Sequence, residues 1–321
     1  MSESSFIKRT ACPLCGSQAW ERLLSLPFDQ EPLRGHLADY PTYRGRIELE
    51  SLAGASYTLL RCRECGLLFQ EGVAGERLQK KIYEQWIDPQ VSLAKRQQGM
   101  DLYEYSELAK EVMILISLLG GRPGSLRVLD YGMGWGTWCL MAKAFACQSY
   151  GLEFSQPRLE FARANGIQTV TWEELGQGQF DYINCNQVLE HLAQPGPVLD
   201  RLAASLRPGG LIRLAAPNCA PLAGLEPDAA PGQGPLWEQT LRLMKPLEHV
   251  NGFTPRTLVG LAGRAGLRRF RVPLRLEYAC TPNWLPLRKI PWKLWRPFYR
   301  SLLVATTNLV FQKQAQATGR A

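Results

Sequence analysis

A glycine-rich turn between an apolar strand and a helix constrains the fold of this chain more than any other sequence feature. Residues 128–137 read Val-Leu-Asp-Tyr-Gly-Met-Gly-Trp-Gly-Thr. Glycine has no side chain, so it reaches backbone conformations closed to other residues and lets a ligand approach the main chain closely. At the carboxyl end of a buried strand, such a turn is typical of α/β sheets that bind nucleotide-like ligands.

Segments with strand and helix patterns alternate around this turn. The alternation predicts a parallel sheet covered by helices on both faces. The Pro/Gly/Ala-rich run 221–235 is predicted as a loop long enough to form a lid. We predict strands at 127–131, 149–154, 167–170, 181–186 and 211–215, helices at 105–119, 136–145 and 157–165, and short β pieces at 46–49, 57–61 and 67–70.

Two CxxC pairs near the N terminus predict a metal site. They read Cys12-Pro-Leu-Cys15-Gly and Cys62-Arg-Glu-Cys65-Gly. The two-residue gap lets one turn present two thiolates to one ion, and two such turns complete the four-sulfur geometry of structural zinc. No coordination position remains open, so we expect no metal catalysis. The alternative is two reduced thiol pairs without a metal. The other five cysteines are scattered in apolar surroundings, which fits a reducing compartment.

An acidic residue follows the next predicted strand, in Gly151-Leu-Glu153. A carboxylate at this point can accept hydrogen bonds from both hydroxyls of a ribose. The third glycine of the dinucleotide fingerprint would fall at Thr137, so a dinucleotide fits imperfectly. The pattern Asp-x-Gly-x-Gly-x-Gly fits another nucleoside-type ligand better.

Three later motifs extend this pattern in order. They are Asn186-Gln-Val-Leu-Glu190-His191-Leu, Leu206-Arg-Pro-Gly-Gly210, and His249-Val-Asn-Gly-Phe253. With these motifs, residues 105–275 resemble the class I S-adenosylmethionine-dependent methyltransferases. The closer likeness is to the small-molecule branch with a VLEHL segment, which includes quinone and sugar methyltransferases. The cysteine pairs resemble the zinc-binding domain fused to some of these enzymes, including C-methyltransferases of deoxysugar pathways.

The resemblance implies an α/β fold: a Rossmann-like seven-stranded methyltransferase sheet with a small N-terminal β-rich zinc-ribbon-like domain. It implies S-adenosyl-L-methionine as cofactor and a structural Zn²⁺. The predicted domains are a zinc-binding domain at 1–75, a helical connector at 76–119, the cofactor-binding domain at 120–276 and a basic aromatic extension at 277–321. By resemblance, Gly132, Gly134 and Gly136 pack under the cofactor, Asp130 lies near its amino acid part, Glu153 binds the ribose, Trp172 and Glu173 lie near the adenine, and Asn186 lines the methionine side.

Two histidines are candidates for a general base. Methyl transfer from a sulfonium is an in-line displacement that needs alignment and exclusion of water. It also needs a base when the acceptor is a hydroxyl or a carbon acid. His191 follows the fourth predicted strand and His249 follows the predicted loop, and either could serve. The alternative for His191 is a structural role in the strand-to-helix turn. His36 is expected at the surface, and Tyr83 and Tyr103 are weaker candidates for the substrate site.

The net charge of +8 is unevenly distributed. Residues 264–321 carry a net charge of +11, whereas the rest of the chain carries −3. Residues 284–300 interleave Trp and Tyr with Lys and Arg, which suits the surface of an anionic membrane. We therefore expect a peripheral contact that presents the site to a lipid-linked or glycan substrate. There are three alternatives for this segment. It binds an acidic substrate such as a nucleotide-sugar, it binds RNA, or its aromatic side chains cover the sheet edge while its cations are solvated. No signal peptide or membrane span is recognised, so we expect a cytoplasmic protein, in peripheral contact with the inner face of the membrane.

These observations favour a methyltransferase that acts on a small-molecule, sugar or glycan-linked acceptor, C- or O-directed. An rRNA or tRNA methyltransferase and a non-catalytic S-adenosylmethionine-binding module are the alternatives. The charge of −3 outside the tail and the lack of an Asn/Asp-Pro-Pro-Tyr motif argue against nucleic acid. The intact glycine turn and Glu153 argue against loss of the cofactor.

Overall fold

The computed structural model describes residues 5–227, 234–281, 295 and 306–314. The chain divides into two compact units, which we name the ribbon unit and the sheet unit. The ribbon unit comprises Met1–Ala94, Gln187–Gly196 and Ala216–Leu261. The sheet unit comprises Lys95–Asn186, Pro197–Ala215 and Ala262–Ala321.

The secondary structure elements are numbered in chain order. The strands are β1 (Phe6–Lys8), β2 (Trp20–Pro27), β3 (Ser56–Cys62), β4 (Leu68–Gln70), β5 (Gly72–Ala74), β6 (Arg127–Tyr131), β7 (Gln148–Leu152), β8 (Gln168–Thr169), β9 (Phe180–Asn186), β10 (Leu206–Ala215), β11 (Asn251–Gly252), β12 (Leu267–Phe270) and β13 (Asn308–Lys313). The α-helices are α1 (Leu33–Ala38), α2 (Glu76–Lys81), α3 (Pro89–Gln98), α4 (Leu102–Leu119), α5 (Thr137–Ala144), α6 (Gln156–Ala164), α7 (Pro195–Ser205), α8 (Gly234–Leu243), α9 (Pro255–Arg264) and α10 (Leu274–Ala279). A π-helical turn covers Ile82–Trp86, and short 3₁₀ turns cover Leu49–Leu52, Pro123–Ser125, Leu189–His191 and Ala220–Gly224.

A seven-stranded sheet forms the centre of the sheet unit, in the order β12-β13-β10-β9-β6-β7-β8. The strands from β10 to β8 are parallel, whereas β13 runs antiparallel to both of its neighbours. Val128, Leu129, Ile183 and Leu214 are fully buried in it, because a parallel sheet covered on both faces needs nearly continuous apolar strands. The strand order reverses between β6 and β9. Ligands of open α/β sheets bind at such a switch point, outside the carboxyl ends of the strands.

Helix α4 packs its apolar face in the sheet unit. The helix begins where the Asp101 side chain accepts a hydrogen bond from the Glu104 amide at 2.9 Å, and ends at Gly120 with φ of 67°. Val112 and Leu115 are buried in a cluster with β6 and α5. A capped N terminus, an amphipathic run and a glycine stop explain why the predicted helix forms here.

The ribbon unit contains a four-stranded antiparallel sheet in the order β11-β4-β3-β2, and a separate pair of β1 and β5. Leu222, Leu241 and Met244 come from far along the chain but share one core with this sheet. The Tyr57 hydroxyl donates a hydrogen bond to the Met244 carbonyl at 2.6 Å, which ties β3 to the same segment. The cysteine-containing region therefore folds together with residues that follow β9 and β10.

The predicted fold class is confirmed, but the compact units differ from the predicted domain boundaries. The ribbon unit extends past residue 75 to Ala94 and takes in 187–196 and 216–261. The physical reason is the shared apolar core, whose members are too distant in sequence for local patterns to connect. The extension assigned to 277–321 contains β13, so it includes a strand of the sheet.

Local differences are smaller. The predicted strand at 46–49 is absent from the described sheets, and a 3₁₀ turn begins at Leu49. The predicted loop 221–235 contains part of the 3₁₀ turn Ala220–Gly224 and the start of α8, and its residues 228–233 lie outside the described part. Of the aromatic and basic segment 284–300, only Trp295 is described. In the part of the chain described here, no helix combines the length and apolarity required to cross a bilayer.

Candidate functional site

The glycine turn connects β6 to α5 in the sheet unit. Gly132, Gly134 and Gly136 have φ angles of 70°, 56° and 69°, which place them in the left-handed region that favours glycine. A Cβ on Gly136 would lie 2.3 Å from the Ile167 Cδ1 atom, so a side chain here would force Ile167 to shift. The Gly132 amide donates to the Leu152 carbonyl at 2.9 Å, which fixes the turn to the end of β7. The turn is therefore both conformationally restricted and anchored.

The Glu153 carboxylate lies directly against the glycine turn. Its Oε2 atom accepts a hydrogen bond from the Gly134 amide at 3.0 Å. Its Oε1 atom accepts from the amides of Phe154 and Ser155 at 2.8 and 3.1 Å, and Arg158 approaches Oε2 at 3.4 Å. The structure thus brings together the two sequence features that predict a nucleoside site, at the switch point of the sheet. Backbone amides therefore orient the carboxylate.

The residues predicted near the adenine lie after β8. Trp172 packs against Tyr131, with ring centroids 6.0 Å apart, and the Arg201 guanidinium lies 4.8 Å from the Trp172 ring centroid. Trp172 is half-buried, whereas Glu173 is exposed. Tyr131 immediately precedes Gly132, so the Trp172 ring borders the same turn. Its role toward a ligand stays a prediction.

Asp130 and Asn186 have different environments. The Asp130 carboxylate is buried and accepts a hydrogen bond from the Asn184 amide nitrogen at 2.7 Å. Asn184 in turn accepts from Arg213 at 2.9 Å, and Arg213 pairs with Glu111 at 2.9 Å. Burial raises the pKa of Asp130 to about 7, although the Asn184 hydrogen bond opposes this shift. Asp130 is thus engaged inside the sheet, while Asn186 is exposed at the end of β9. Cofactor contacts by both residues stay predictions.

The four cysteines of the two CxxC pairs converge in the ribbon unit. Cys12 and Cys65 have Sγ atoms 3.6 Å apart, and those of Cys15 and Cys62 lie 3.5 Å apart. All four sulfur atoms lie within 4.8 Å of one another. A tetrahedral zinc ion with Zn–S bonds of about 2.3 Å requires sulfur atoms about 3.8 Å apart, so this arrangement fits zinc.

The backbone around the cysteines also suits a metal centre. Gly16 and Gly66 have φ angles of 75° and 79°, and their amides donate to the Cys12 and Cys62 carbonyls. Each CxxC pair therefore turns tightly just after its second cysteine. A hydrogen bond from the Cys65 thiol lowers the pKa of Cys12 to about 5, which favours the thiolate that metal binding needs.

Glu190, His191 and His249 form a second cluster in the ribbon unit. Their nearest potential ligand atoms lie within 4.8 Å of one another, and the two imidazole rings meet edge to face with centroids 4.8 Å apart. A cluster of this kind can exchange protons and also has the composition of a divalent cation site. The structure therefore brings together the two histidines that the sequence offers as candidate bases.

The hydrogen bonds of the rings define their protonation. His249 Nδ1 lies 2.8 Å from the Leu243 carbonyl, which can only accept, so Nδ1 carries the proton and Nε2 a lone pair. Burial lowers the pKa of His249 to about 4, so the ring is neutral at pH 7. His191 Nδ1 lies 2.9 Å from the Glu248 carbonyl and 3.0 Å from the Tyr83 hydroxyl. The His191 side chain is 25% exposed, whereas His249 as a residue is only 5% exposed.

Sequence reasoning did not select Glu190 as a functional residue. Glu190 is 1% exposed, and within the described residues neither of its carboxylate oxygens has a hydrogen-bond partner. Its Oε1 atom lies 3.9 Å from His191 Nε2. Burial raises the pKa of Glu190 to about 8, so the group holds a proton at neutral pH. The adjacent Glu-His pair was visible in the sequence, but the lack of partners is a property of the fold.

The sheet order, with an antiparallel strand inserted at the second position from one edge, and the glycine turn joined to Glu153 define a class I S-adenosylmethionine-dependent methyltransferase fold. A family model described as "Methyltransferase domain" matches residues 100–270, which is just over half of the chain. The chain therefore belongs to this family of methyltransferase domains.

Curated relatives match over a shorter region. The chain is 31% identical to a ubiquinone biosynthesis O-methyltransferase from Bordetella pertussis over 103 residues, or 29% of this chain and 43% of that protein. It is 33% identical to the protein of the same name from Bradyrhizobium diazoefficiens over 98 residues, or 28% of this chain and 39% of that protein. The chain thus matches less than half the length of these relatives.

Solved structures are more distant. A 1,6-didemethyltoxoflavin-N1-methyltransferase from Burkholderia thailandensis, solved with 1,6-didemethyltoxoflavin and S-adenosylhomocysteine, has a TM-score of 0.42 and 17% identity. That comparison covers 79% of this chain and 98% of the other.

Proposed function

We propose that this protein is an S-adenosylmethionine-dependent methyltransferase acting on a small-molecule acceptor. The observation that carries the proposal is the Gly134 amide bonded to the Glu153 carboxylate at 3.0 Å, at the switch point of the sheet. Bound S-adenosylmethionine supplies a methyl group already activated as a sulfonium. Glu153 would accept hydrogen bonds from its ribose, and Gly132, Gly134 and Gly136 would allow its close approach.

The histidine cluster supports an acid–base role in the reaction. We assign the base to His191, because its side chain is partly exposed and its Nδ1 donates to the Glu248 carbonyl, so that Nε2 carries the lone pair. His249 is more deeply buried and has a pKa of about 4, so it suits a positioning role against the His191 ring. The Glu190 Oε1 atom lies 3.9 Å from His191 Nε2, so its carboxyl dipole would face the positive charge that develops when His191 takes a proton from the acceptor.

The acceptor class is inferred from chemistry and relatives. A base is needed only for an acceptor that loses a proton, such as a hydroxyl or a carbon acid. The curated relatives named as ubiquinone biosynthesis O-methyltransferases favour a small hydroxylated aromatic or quinol acceptor. A sugar or glycan-linked acceptor, with C- or O-directed transfer, follows from the resemblance of the cysteine-containing region and is the second candidate.

Calorimetric titration with S-adenosylmethionine and S-adenosylhomocysteine tests cofactor binding. We expect one site per chain for each, and absence of binding would refute the proposal. Transfer from methyl-labelled S-adenosylmethionine is then measured on a catechol and hydroquinone panel, on nucleotide-sugars and on tRNA. Label in a small molecule supports the proposal, whereas label in tRNA alone contradicts it. Binding without transfer to any acceptor would favour a non-catalytic module.

The assignment of the base has its own test on the acceptor found in that screen. We expect His191→Gln to lower kcat about 10²- to 10⁴-fold, the range of general base catalysis, with unchanged affinity for S-adenosylmethionine. His249→Gln should lower kcat less. A larger loss in His249→Gln than in His191→Gln would reverse the assignment.

We further propose that Cys12, Cys15, Cys62 and Cys65 hold a structural zinc ion. The fit of their sulfur atoms to a tetrahedron supports this proposal. Four thiolates fill the coordination shell, so the metal would stabilise the ribbon unit rather than contact an acceptor.

The tail proposal rests on sequence alone. We propose that residues 284–300 bring a cytoplasmic protein into peripheral contact with an anionic membrane. Truncation would also remove β13, so the test changes Arg288, Lys289 and Lys293 to Glu in the full chain. Flotation with phosphatidylglycerol vesicles should fall in this variant, and equal flotation would refute the proposal.

A further inference from the structure

Arg9 is a buried cation in the ribbon unit that no sequence motif marks. It follows β1, is 5% exposed, and its backbone amide donates to the Glu71 carbonyl at 2.8 Å. Burial lowers its pKa to about 10, which still leaves it charged at pH 7. A buried guanidinium is costly unless its hydrogen bonds are satisfied, so its partners show what it does.

Four of the five side-chain hydrogen bonds described for Arg9 go to two segments of the chain, and the fifth goes from Nη1 to the Gln70 carbonyl at 3.4 Å. Nη2 donates to the carbonyls of Leu192 and Ala193 at 3.4 and 2.8 Å, directly after His191. Nη1 donates to the Val250 carbonyl and to Asn251 Oδ1, each at 3.0 Å, directly after His249. One planar guanidinium therefore joins the two segments that carry the histidine pair.

Asn251 adds a second connection between these segments. Its Nδ2 atom donates to the carbonyls of Leu189 and Leu192 at 3.0 and 2.7 Å. Its Oδ1 atom is meanwhile occupied by Arg9. Arg9 and Asn251 thus form one buried clamp, in which every acceptor described for Arg9 is a neutral oxygen. The negative charge of the Cys12 thiolate attracts the guanidinium, but it does not explain why the hydrogen bonds of Arg9 reach the segments after His191 and His249.

We propose that Arg9 is a positioning residue that holds the imidazoles of His191 and His249 at their observed separation. The proposal rests on the proposed function, since it assumes that the histidine pair is the acid–base group. The fork of Arg9 can donate in two directions at fixed angles, whereas an ammonium group cannot span both segments in one plane. Cys12 lies three residues after Arg9, so the ordered cysteine turns also fix the backbone that delivers the guanidinium.

The test is imidazole titration by NMR in the full-length, zinc-loaded protein, which needs no acceptor. The chain has three histidines, so ¹⁵N-labelled rings give three assignable systems, with His36 as the internal control. The variants are Arg9→Lys, which keeps the charge but loses the fork, and Arg9→Gln. Arg61→Gln is the matched control, because Arg61 bonds Glu21 and the Ala223 carbonyl in the same unit.

In wild type we expect the His249 ring to stay neutral down to about pH 4 with its Nδ1 proton protected. In Arg9→Lys we expect its proton affinity to rise at least about tenfold and the protected proton to exchange, because the released segment admits water. Arg61→Gln and the His36 signal should not change. Arg9→Lys is informative because it keeps the positive charge. If only that charge mattered, the histidine titrations of this variant would equal those of wild type.

Wild-type titrations of His191 and His249 in both folded Arg9 variants would overturn the proposal. If Arg9→Gln fails to fold, Asn251→Ser tests the same clamp, since it removes the bonds to Leu189 and Leu192. Failure of this proposal and failure of the proposed acid–base function give different results. If the histidines have no acid–base function, turnover is unchanged in His191→Gln and His249→Gln, whatever the titrations of the Arg9 variants show.

Discussion

Replacing Gly136 by alanine should destabilise the sheet unit more than the same change at the neighbouring Gly134. Both have a positive φ, which costs an alanine about 1–2 kcal/mol. At Gly134 no atom lies within 4 Å of the added Cβ, so this conformational cost is the whole effect. At Gly136 the Cβ would lie 2.3 Å from Ile167 Cδ1 inside a packed cluster, and overpacking costs about 1–3 kcal/mol more. We therefore expect a loss of about 2–5 kcal/mol for Gly136→Ala.

Urea unfolding monitored by tryptophan fluorescence measures these free energies. Gly178→Ala is the matched control, because Gly178 also has a positive φ of 63° and open space around its Cβ, but lies outside the glycine turn. Gly134→Ala and Gly178→Ala should agree within about 1 kcal/mol, while Gly136→Ala should lie clearly below both. Equal free energies of unfolding for all three variants would show that Ile167 moves aside easily, and would refute the expected overpacking at Gly136.

Three further predictions address the other groups. Glu153→Gln should weaken S-adenosylmethionine binding about 10- to 100-fold in calorimetry, since it removes hydrogen bonds to a charged acceptor. The control Glu174→Gln should bind S-adenosylmethionine like wild type. Equal affinities of the two variants would contradict the ribose role of Glu153. Cys65→Ser should reduce the zinc content, measured by mass spectrometric metal analysis, from one ion per chain to a substoichiometric amount. The control Cys280→Ser should keep one zinc ion per chain. An unchanged zinc content in Cys65→Ser would show that Cys65 is not a ligand. Burial raises the pKa of Glu190 from 4.5 in the unfolded chain to about 8 in the folded protein. Between pH 4.5 and pH 8 the folded protein therefore binds more protons than the unfolded protein. The free energy of unfolding of wild type thus falls as the pH rises through this range. Glu190→Gln should therefore gain stability relative to wild type from pH 5 to pH 8, by up to about 4 kcal/mol, in urea unfolding at each pH; a flat difference would show that Glu190 is solvated.

The conformation of the glycine turn and the position of Glu153 could be predicted because their signals are local. The φ angles of the glycine turn follow from residue type, and Glu153 follows from its place after the next strand. The convergence of Cys12 with Cys65 was also predictable, although 53 residues separate them, because metal chemistry leaves only a few residue types and spacings.

The rest depended on long-range packing. Strand β13 begins 38 residues after the last residue of β12. Its pairing with β10 cannot be recognised from local sequence patterns. Similarly, the burial of Met244 against β3 makes residues 216–261 part of the ribbon unit. The acceptors of Arg9 include backbone carbonyls up to 241 residues away, and a carbonyl has no residue type by which it could be recognised.

Arg213 and Arg9, the arginines that are buried among the described residues, illustrate what such contacts can do. Arg213 in the sheet unit pairs with Glu111 and reaches the Asp130 carboxylate through Asn184, so nearby negative charge compensates its burial. Arg9 has no carboxylate among its described hydrogen-bond partners, and its burial is offset by dipoles of carbonyl and amide groups and by the nearby Cys12 thiolate. An apolar residue of similar volume would avoid this cost if filling space were the only requirement. The hydrogen bonds add a geometric requirement, because the fork fixes the two segments that follow His191 and His249. Arg9→Lys should therefore disturb the histidine titrations, whereas a purely electrostatic role would tolerate the exchange.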